Sequence, residues 1–454
     1  MPPGRMSADS DGGYRRQLRD AFAGAWTRRA ALGLLLAYVF AAPFPWGSVQ
    51  PGVTGTGKII GGAFLIALLT FLSPDVRLRV CGAWTPVAAV AGFAVLGLVQ
   101  LAPLPAGLLA AASPVSAEAW SGAGQVLTSF GRAAPPARVS LMPWETAGVV
   151  LLALAFVALF LSASVLLGRR APRRLFAAAV VASGLIQVVL AVASEDRVNR
   201  LHGAFVNPNN LAGYLEISLA LAFGLLWYGA RTALRDLAAA TGAEERADLL
   251  ARLIPKLVLA VLLWGVLAAG IVYSQSRGGI VAATGCTLLM AAIAWQLRAN
   301  APGNRHVVAS VLAVLVALGT AFAIASAGTA AFLRFLLPDA ADLAADYRVL
   351  IWQDSWSAFT LFPWLGSGLG TFREAIRRVQ SPEVRGLVDQ AHNEYLHLLV
   401  TGGVAGALLG LTALVSGVRA FLGALFTQKH REEIAFVLAG FGALFMLLLH
   451  GMAE

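Results

Sequence analysis

RLHGAFVNPNNLAGYLEISLALAFGLLWYGA, residues 200–230, changes character a third of the way along. Its opening holds Arg200, His202 and an Asn-Pro-Asn-Asn turn; the remainder is an apolar run long enough to cross a bilayer, interrupted by Glu216. Three more polar words border long apolar runs in the same way: SQSRGG (274–279), DYRVLIWQDSW (346–356) and DQAHNEYLH (389–397). Charge beside a bilayer is costly and is usually kept for function. These words therefore mark a site at a membrane boundary.

The whole chain agrees with that reading. Of 454 residues, 58% are hydrophobic and 13% charged, with mean hydropathy +0.73; soluble domains carry about 25% charged residues. Apolar stretches predict eleven spans, at 29–47, 58–73, 83–102, 145–168, 174–194, 209–229, 256–273, 279–296, 306–326, 395–419 and 433–450. The net charge of +10 does not point to nucleic acid. It collects in alternate short connections: Arg28 and Arg29 before the first span, Arg169, Arg170, Arg173 and Arg174 after the fourth, and Arg231, Arg235, Arg246, Arg252 and Lys256 after the sixth. By the positive-inside rule those loops and the N-terminus are cytoplasmic. AYVFAAP (37–43) mimics a cleavage site, but the polar segment 1–27 is too long for a signal peptide, so a retained first span is expected. Cys81 and Cys286 fall near or within different spans and predict no disulfide.

The expected fold is an all-α polytopic membrane bundle with a helical periplasmic cap. Residues 1–28 form a cytoplasmic tail, 29–326 nine spans with an outward loop at 103–143, 327–394 the cap, and 395–454 the C-terminal spans. In the cap, AAFLRFLL (330–337) and YRVLIWQDSWSAF (347–359) have helical apolar spacing, and FPWLGSGLGTF (362–372) is a Gly/Pro turn region. This topology puts all four polar words on the outward side. No repeat suggests an inverted-repeat transporter.

Each word carries chemistry. Asn207 and Asn210 flank the start of the sixth span, where an asparagine caps the helix and the helix N-terminus favours an anion. Arg277 offers planar bidentate donors suited to phosphate oxygens, with Gly278 and Gly279 admitting close approach. Glu216 either pairs with an arginine such as Arg277 or relays a proton. Arg348 stands among Tyr347, Trp352 and Trp356, aromatic faces that suit sugar stacking or the ordinary interfacial belt. Arg373, Arg377 and Arg378 read as lipid headgroup contacts. His392 can take a proton from a hydroxyl nucleophile, oriented by Asn393 or Glu394. His392 and His397 are five apart rather than the four a metal-binding helix requires, so no metal site is expected.

The ordered set R-x-x-G-x-F-x-N-P-N-x-L-A-x-Y-L (200–215), S-R-G (276–278), Y-R-x-x-x-W (347–352), G-x-G-x-x-x-F (366–372) and H-N-x-Y-L (392–396) resembles the O-antigen ligase and polysaccharide polymerase superfamily. The resemblance implies a membrane GT-C-type glycosyltransferase of the bacterial inner membrane, its active site facing the periplasm. It implies an undecaprenyl-diphosphate-linked glycan as donor, with lipid A–core or a growing glycan as acceptor, and no cofactor. Carried over, Arg200 and Arg277 match the diphosphate-binding arginines, His392 the base and Arg348 a helper. Family members have twelve spans, so the twelfth is expected to be absent from this chain.

The chemistry is self-consistent: a sugar hydroxyl attacks an anomeric carbon as the lipid diphosphate leaves, arginines hold the growing charge, and a base removes the hydroxyl proton. The expected reaction is O-antigen ligation to lipid A–core. An O-antigen or exopolysaccharide polymerase would use the same donor, and protein glycosylation is a third acceptor choice. A flippase or transporter would need ionisable residues along a path through the membrane.

Overall fold

The computed structural model describes residues 26, 28–44, 55, 57, 60, 61, 63, 84–194, 200–296, 343–427 and 431–452. Cys81, most of the expected span 58–73, the span 306–326 and the segment 330–337 lie outside the described residues. Among the described residues the chain is helical throughout, without a strand. After a helix over 28–41 come α1 (Trp84–Leu101), α2 (Ala106–Ala112), α3 (Pro114–Ser129), α4 (Pro143–Leu166), α5 (Arg170–Ala193) and α6 (Pro208–Ala239). Beyond them lie α7 (Ala243–Tyr273), α8 (Arg277–Gln296), α9 (Leu343–Leu361), α10 (Phe372–Ile376), α11 (Glu394–Thr427) and α12 (Arg431–His450).

Seven of these, α4 to α8 with α11 and α12, are long and apolar enough to cross a membrane. They coincide with seven expected spans, and the span 83–102 coincides with α1, whose apolar stretch is shorter. Val95, Leu98, Leu151, Phe156, Val189, Leu262, Leu408 and Leu411 stand exposed on the helix flanks. So many exposed apolar side chains suit lipid and not water. The chain is a multi-pass membrane protein.

Two helices overrun the expected spans. The 209–229 run continues to Ala239, and the 256–273 run begins at Ala243, leaving a turn of three residues. Hydropathy misses these ends because RTALRDLAA and AEERADLLARL are charged; their Ala, Arg, Leu and Glu are nevertheless strong helix formers. Charged residues gather here and at the α4–α5 turn. Arg173 Nη2 lies 3.5 Å from Glu433 Oε1 at the start of α12, and Arg231 and Arg174 sit over the rings of Trp227 and Tyr228. This basic end is opposite the end that carries the polar words.

The membrane core forms around α6. Leu211, Leu215, Leu219, Phe223 and Trp227 are buried against Leu267 and Ile271 of α7, Met290 of α8 and Leu438 of α12. A second core lies in the cap, where Ile351 of α9 and Phe362 just after it meet Phe372 and Ile376 of α10, Val388, Ala391 and Val400. Asp354 pins the intervening loop by accepting from both the backbone and the hydroxyl of Ser381, at 2.8 and 2.6 Å. The cap is thus an ordered helical layer. Segment 103–143 also departs from a purely surface-lying strip: Val139 and Ser140 are fully buried, and Ser140 N–H donates to Gln100 O.

Cap and membrane helices are welded at a break in α11. Gly403 has φ 62° and ψ −161°, a conformation essentially reserved for glycine. The amides freed there are not lost: Val404 N–H donates to Pro363 O and Ala405 N–H to Trp364 O. The backbones meet so closely that a Cβ on Gly403 would lie 2.5 Å from Gly366 N. Gln100, fully buried on α1, completes the joint by donating to Leu365 O and Thr401 O and accepting from Leu369 N–H. The single expected span 395–419 is therefore two helices. Residues 394–402 rise only about 13 Å and pack with the cap, while 404–427, about 36 Å, can cross.

Candidate functional site

Three helices begin at one end of the bundle, and each is capped by a side chain from a polar word. Asn207 Oδ1 accepts from Asn209 N–H at 2.9 Å at the start of α6. Ser276 Oγ accepts from Gly279 N–H at 3.2 Å at the start of α8. Asn393 Oδ1 accepts from Tyr395 and Leu396 N–H, both at 3.0 Å, at the start of α11. A helix start presents unpaired N–H groups, and a short oxygen-bearing side chain satisfies them. The sequence places these residues where apolar runs begin for that reason.

Hydrogen bonds draw the three starts together. Arg200 bridges the first two: Nε donates to Ser274 O and Nη2 to Asn209 Oδ1, each at 2.8 Å. Leu201 N–H adds a bond to Tyr273 O, the last residue of α7. Arg277 opens α8 with an exposed side chain beside this bridge. Gln275, two residues before it, holds φ 52° without being glycine, so the SQSRGG turn is tightly folded. His202 turns inward, Nδ1 lying 2.8 Å from Phe205 O.

The third start joins through the end of α12. Glu394 N–H donates to Gly451 O at 2.8 Å, Asn393 Nδ2 to Met452 O at 3.1 Å and Tyr395 Oη to Leu448 O at 2.7 Å. His450 reaches the other two starts. Its Nδ1 lies 2.6 Å from Glu216 Oε1 inside α6, and its Nε2 lies 3.5 Å from Ser276 Oγ. Glu216 is fully buried and pairs with His450; of the two roles read from the sequence, arginine pairing or proton relay, the structure shows no arginine contact for the first among the described residues.

His392 sits immediately before the Asn393 cap, half-buried, at φ 51°. Left-handed backbone at a side chain that is not glycine carries strain and is held by its surroundings. The peptide on either side is fixed, by Ala391 in the cap core and by the Asn393 bonds. His397 does not join it: its ring stacks on Phe372 at 4.6 Å between centroids. Among the described residues no cluster of His, Cys, Asp and Glu could hold a metal.

Arg348 and Trp352 lie half-buried on α9, which packs against α11. Trp356 is exposed and contacts Phe359. Arg373 pairs with Glu374 at 3.1 Å on the cap surface, beside exposed Arg377 and Arg378. Asn210 stands half-buried within the first turn of α6; its neighbour Asn209, buried, is the one that holds Arg200. The structure thus brings Arg200, Asn207, Glu216, Asn393 and Glu394 into one bonded junction, with Arg277 next to Ser276 in sequence and His392 at its edge. Asn209 and Ser276 stand inside the quoted motifs without a role of their own there, and His450 was given no role from the sequence. Ser276 had a signal, a hydroxyl one residue before a helical run; His450 had none.

Chemically the junction is a donor-rich surface. Helix N-termini attract anions, Arg277 adds a guanidinium, and His392 adds an imidazole, a group able to exchange a proton near neutrality. Residues 259–411 match the protein family described as O-Antigen ligase. The matched segment includes the end of α7, α8, the cap and the first part of α11, and so Arg277, Arg348 and His392. Arg200, Glu216 and His450 lie outside it. No curated protein matches the chain.

Proposed function

From an O-antigen ligase domain whose arginine-bearing junction is bonded into three helix starts, we propose that this protein transfers a glycan from undecaprenyl diphosphate to a sugar hydroxyl of lipid A–core. The match to that domain supports an O-antigen ligase or polymerase type of function. The donor, the acceptor and the roles of individual residues are the proposal. The observation that carries it is the Arg200 bridge, which fixes the starts of α6 and α8 side by side with Arg277 between them and open solvent.

In this reading the diphosphate rests on Arg277 and on the helix starts, which Arg200 holds in place. Charge grows on the leaving diphosphate as the anomeric bond breaks, and fixed donors stabilise that charge more than the ground state. Such a set replaces a divalent ion, so the reaction is metal-independent. His392 takes the proton of the attacking hydroxyl, and Asn393 and Glu394 set the loop that carries it. Arg348 and Trp352 line the acceptor side. One displacement gives inversion at the anomeric carbon. The site faces the periplasm of the inner membrane, because the basic end of the bundle lies opposite.

The transporter alternative fares less well. The α11 break is sealed by cap carbonyls rather than lining a pathway, and Glu216 is closed off by His450. Reconstitution with an undecaprenyl-diphosphate glycan and lipid A–core, with and without chelator, tests the proposal. Glycan on lipid A–core in both conditions supports it. Lengthened donor glycan alone would make the enzyme a polymerase, and movement of donor across the bilayer without transfer would make it a flippase.

A further inference from the structure

The last turn of α12 touches every arm of the site, although no motif points to it and it lies outside the family match. His450 is 4% exposed and sits between two buried partners, Glu216 and Ser276. Ser276 Oγ already accepts from Gly279 N–H, so its own hydrogen is available to His450 Nε2. His450 Nδ1 faces the Glu216 carboxyl group on the other side. The next two residues turn the other way: their carbonyls receive Glu394 N–H and Asn393 Nδ2, on either side of the peptide C-terminal to His392.

The chain therefore runs Glu216, His450, Ser276 and the start of α8 on one side, and Gly451, Met452 and the His392 loop on the other. A buried polar pair contributes little net stability, because desolvation offsets its attraction. What it fixes is geometry. Resting on the glycan-transfer reading, we infer that His450 and Glu216 are positioning residues that hold the diphosphate arginine Arg277 and the acceptor base His392 in one register. Neither touches substrate. Each acts through backbone it anchors, and a displacement of about 1 Å at reacting groups is enough to cost roughly a hundredfold in rate.

The test uses the full chain in nanodiscs and two readouts. Amide hydrogen exchange needs no reaction: His450→Ala is expected to speed exchange at Gly279 and at Glu394 together, leaving the middle of α6 protected. In the transfer assay the same variant loses about 10- to 100-fold in kcat, with donor affinity within about threefold of wild type. His450→Asn reaches Glu216 but not Ser276, so Gly279 exchanges faster, Glu394 stays protected and kcat lies between the two. Unchanged exchange at both amides, or unchanged kcat in a folded His450→Ala, overturns the inference. So does equal loss of kcat and donor affinity. If His450→Ala does not fold, His450→Asn decides: unchanged Gly279 exchange and kcat overturn it. A wild type that transfers no glycan sinks the glycan-transfer reading, while exchange still decides whether His450 joins the two arms.

Discussion

Gln100 on α1 accepts from the Leu369 amide at 2.9 Å, across 269 positions of sequence, and so ties α1 to the cap turn. Its amide hydrogens go to Leu365 O and Thr401 O. One side chain thus satisfies three backbone groups in a fully buried place. Gln100→Leu keeps the bulk and abandons all three. Thr401 O keeps the Gly368 N–H, so the expected cost is about 2 kcal/mol or more, since each of the two unmet buried groups costs about 1–3 kcal/mol. Thermal unfolding in detergent measures it; an unshifted transition would show the joint to be dispensable.

Gly403→Ala should be worse than a usual helix substitution. Alanine is the best helix former, yet here it meets φ 62° and places Cβ 2.6 Å from the backbone of Trp364. Destabilisation of roughly 2–4 kcal/mol is expected, with the cap released first. Limited proteolysis should cut between 377 and 391 in the variant before wild type. Stabilisation instead would mean that α11 prefers to run unbroken.

Arg200→Lys separates bridging from charge. A lysine keeps the charge but cannot hold Ser274 O and Asn209 Oδ1 with one planar fork. Transfer activity should fall about tenfold or more, and Asn209→Ala, which removes one arm of the bridge, should fall less. Wild-type activity in Arg200→Lys would reduce the residue to a point charge.

His392→Ala and Arg277→Ala should fail differently. Loss of a general base costs roughly 10²–10⁴ in turnover with donor affinity retained. Arg277→Ala should weaken donor binding as well as turnover. Isothermal binding of the lipid diphosphate beside single-turnover transfer tells them apart; retained turnover in His392→Ala removes the base.

Glu433→Ala should matter little. Its contact with Arg173 is a partly exposed ion pair at the basic end, worth at most about 1 kcal/mol. A melting curve close to wild type, with unaltered transfer, is the expected result.

The starts of the helices were legible because they are written locally. Pro143, Pro208 and Asn207 announce helix starts within a residue or two of the observed ones. The cytoplasmic ends of α6 and α7 were not, since hydropathy reads charge as an end while the backbone reads Ala, Leu and Glu as more helix. Three of the four polar words meet at one junction because charge at a bilayer face needs a reason; the fourth, 346–356, lies on α9. Glu216 shows where that logic stops. Its charge was visible, but its partner lies 234 residues away in a stretch with no motif, and only folding brings His450 to it. The Gly403 break was hidden in the same way: a Thr-Gly-Gly inside an apolar run gives no sign that another turn's carbonyls wait there.

The three capped helix starts have a consequence for any attempt to silence the site by mutation. Each contributes the equivalent of roughly half a positive charge from the backbone alone, and no side-chain substitution can remove it. Variants lacking both Arg200 and Arg277 should keep a residual pull on multivalent anions, one that salt weakens and that only unfolding abolishes.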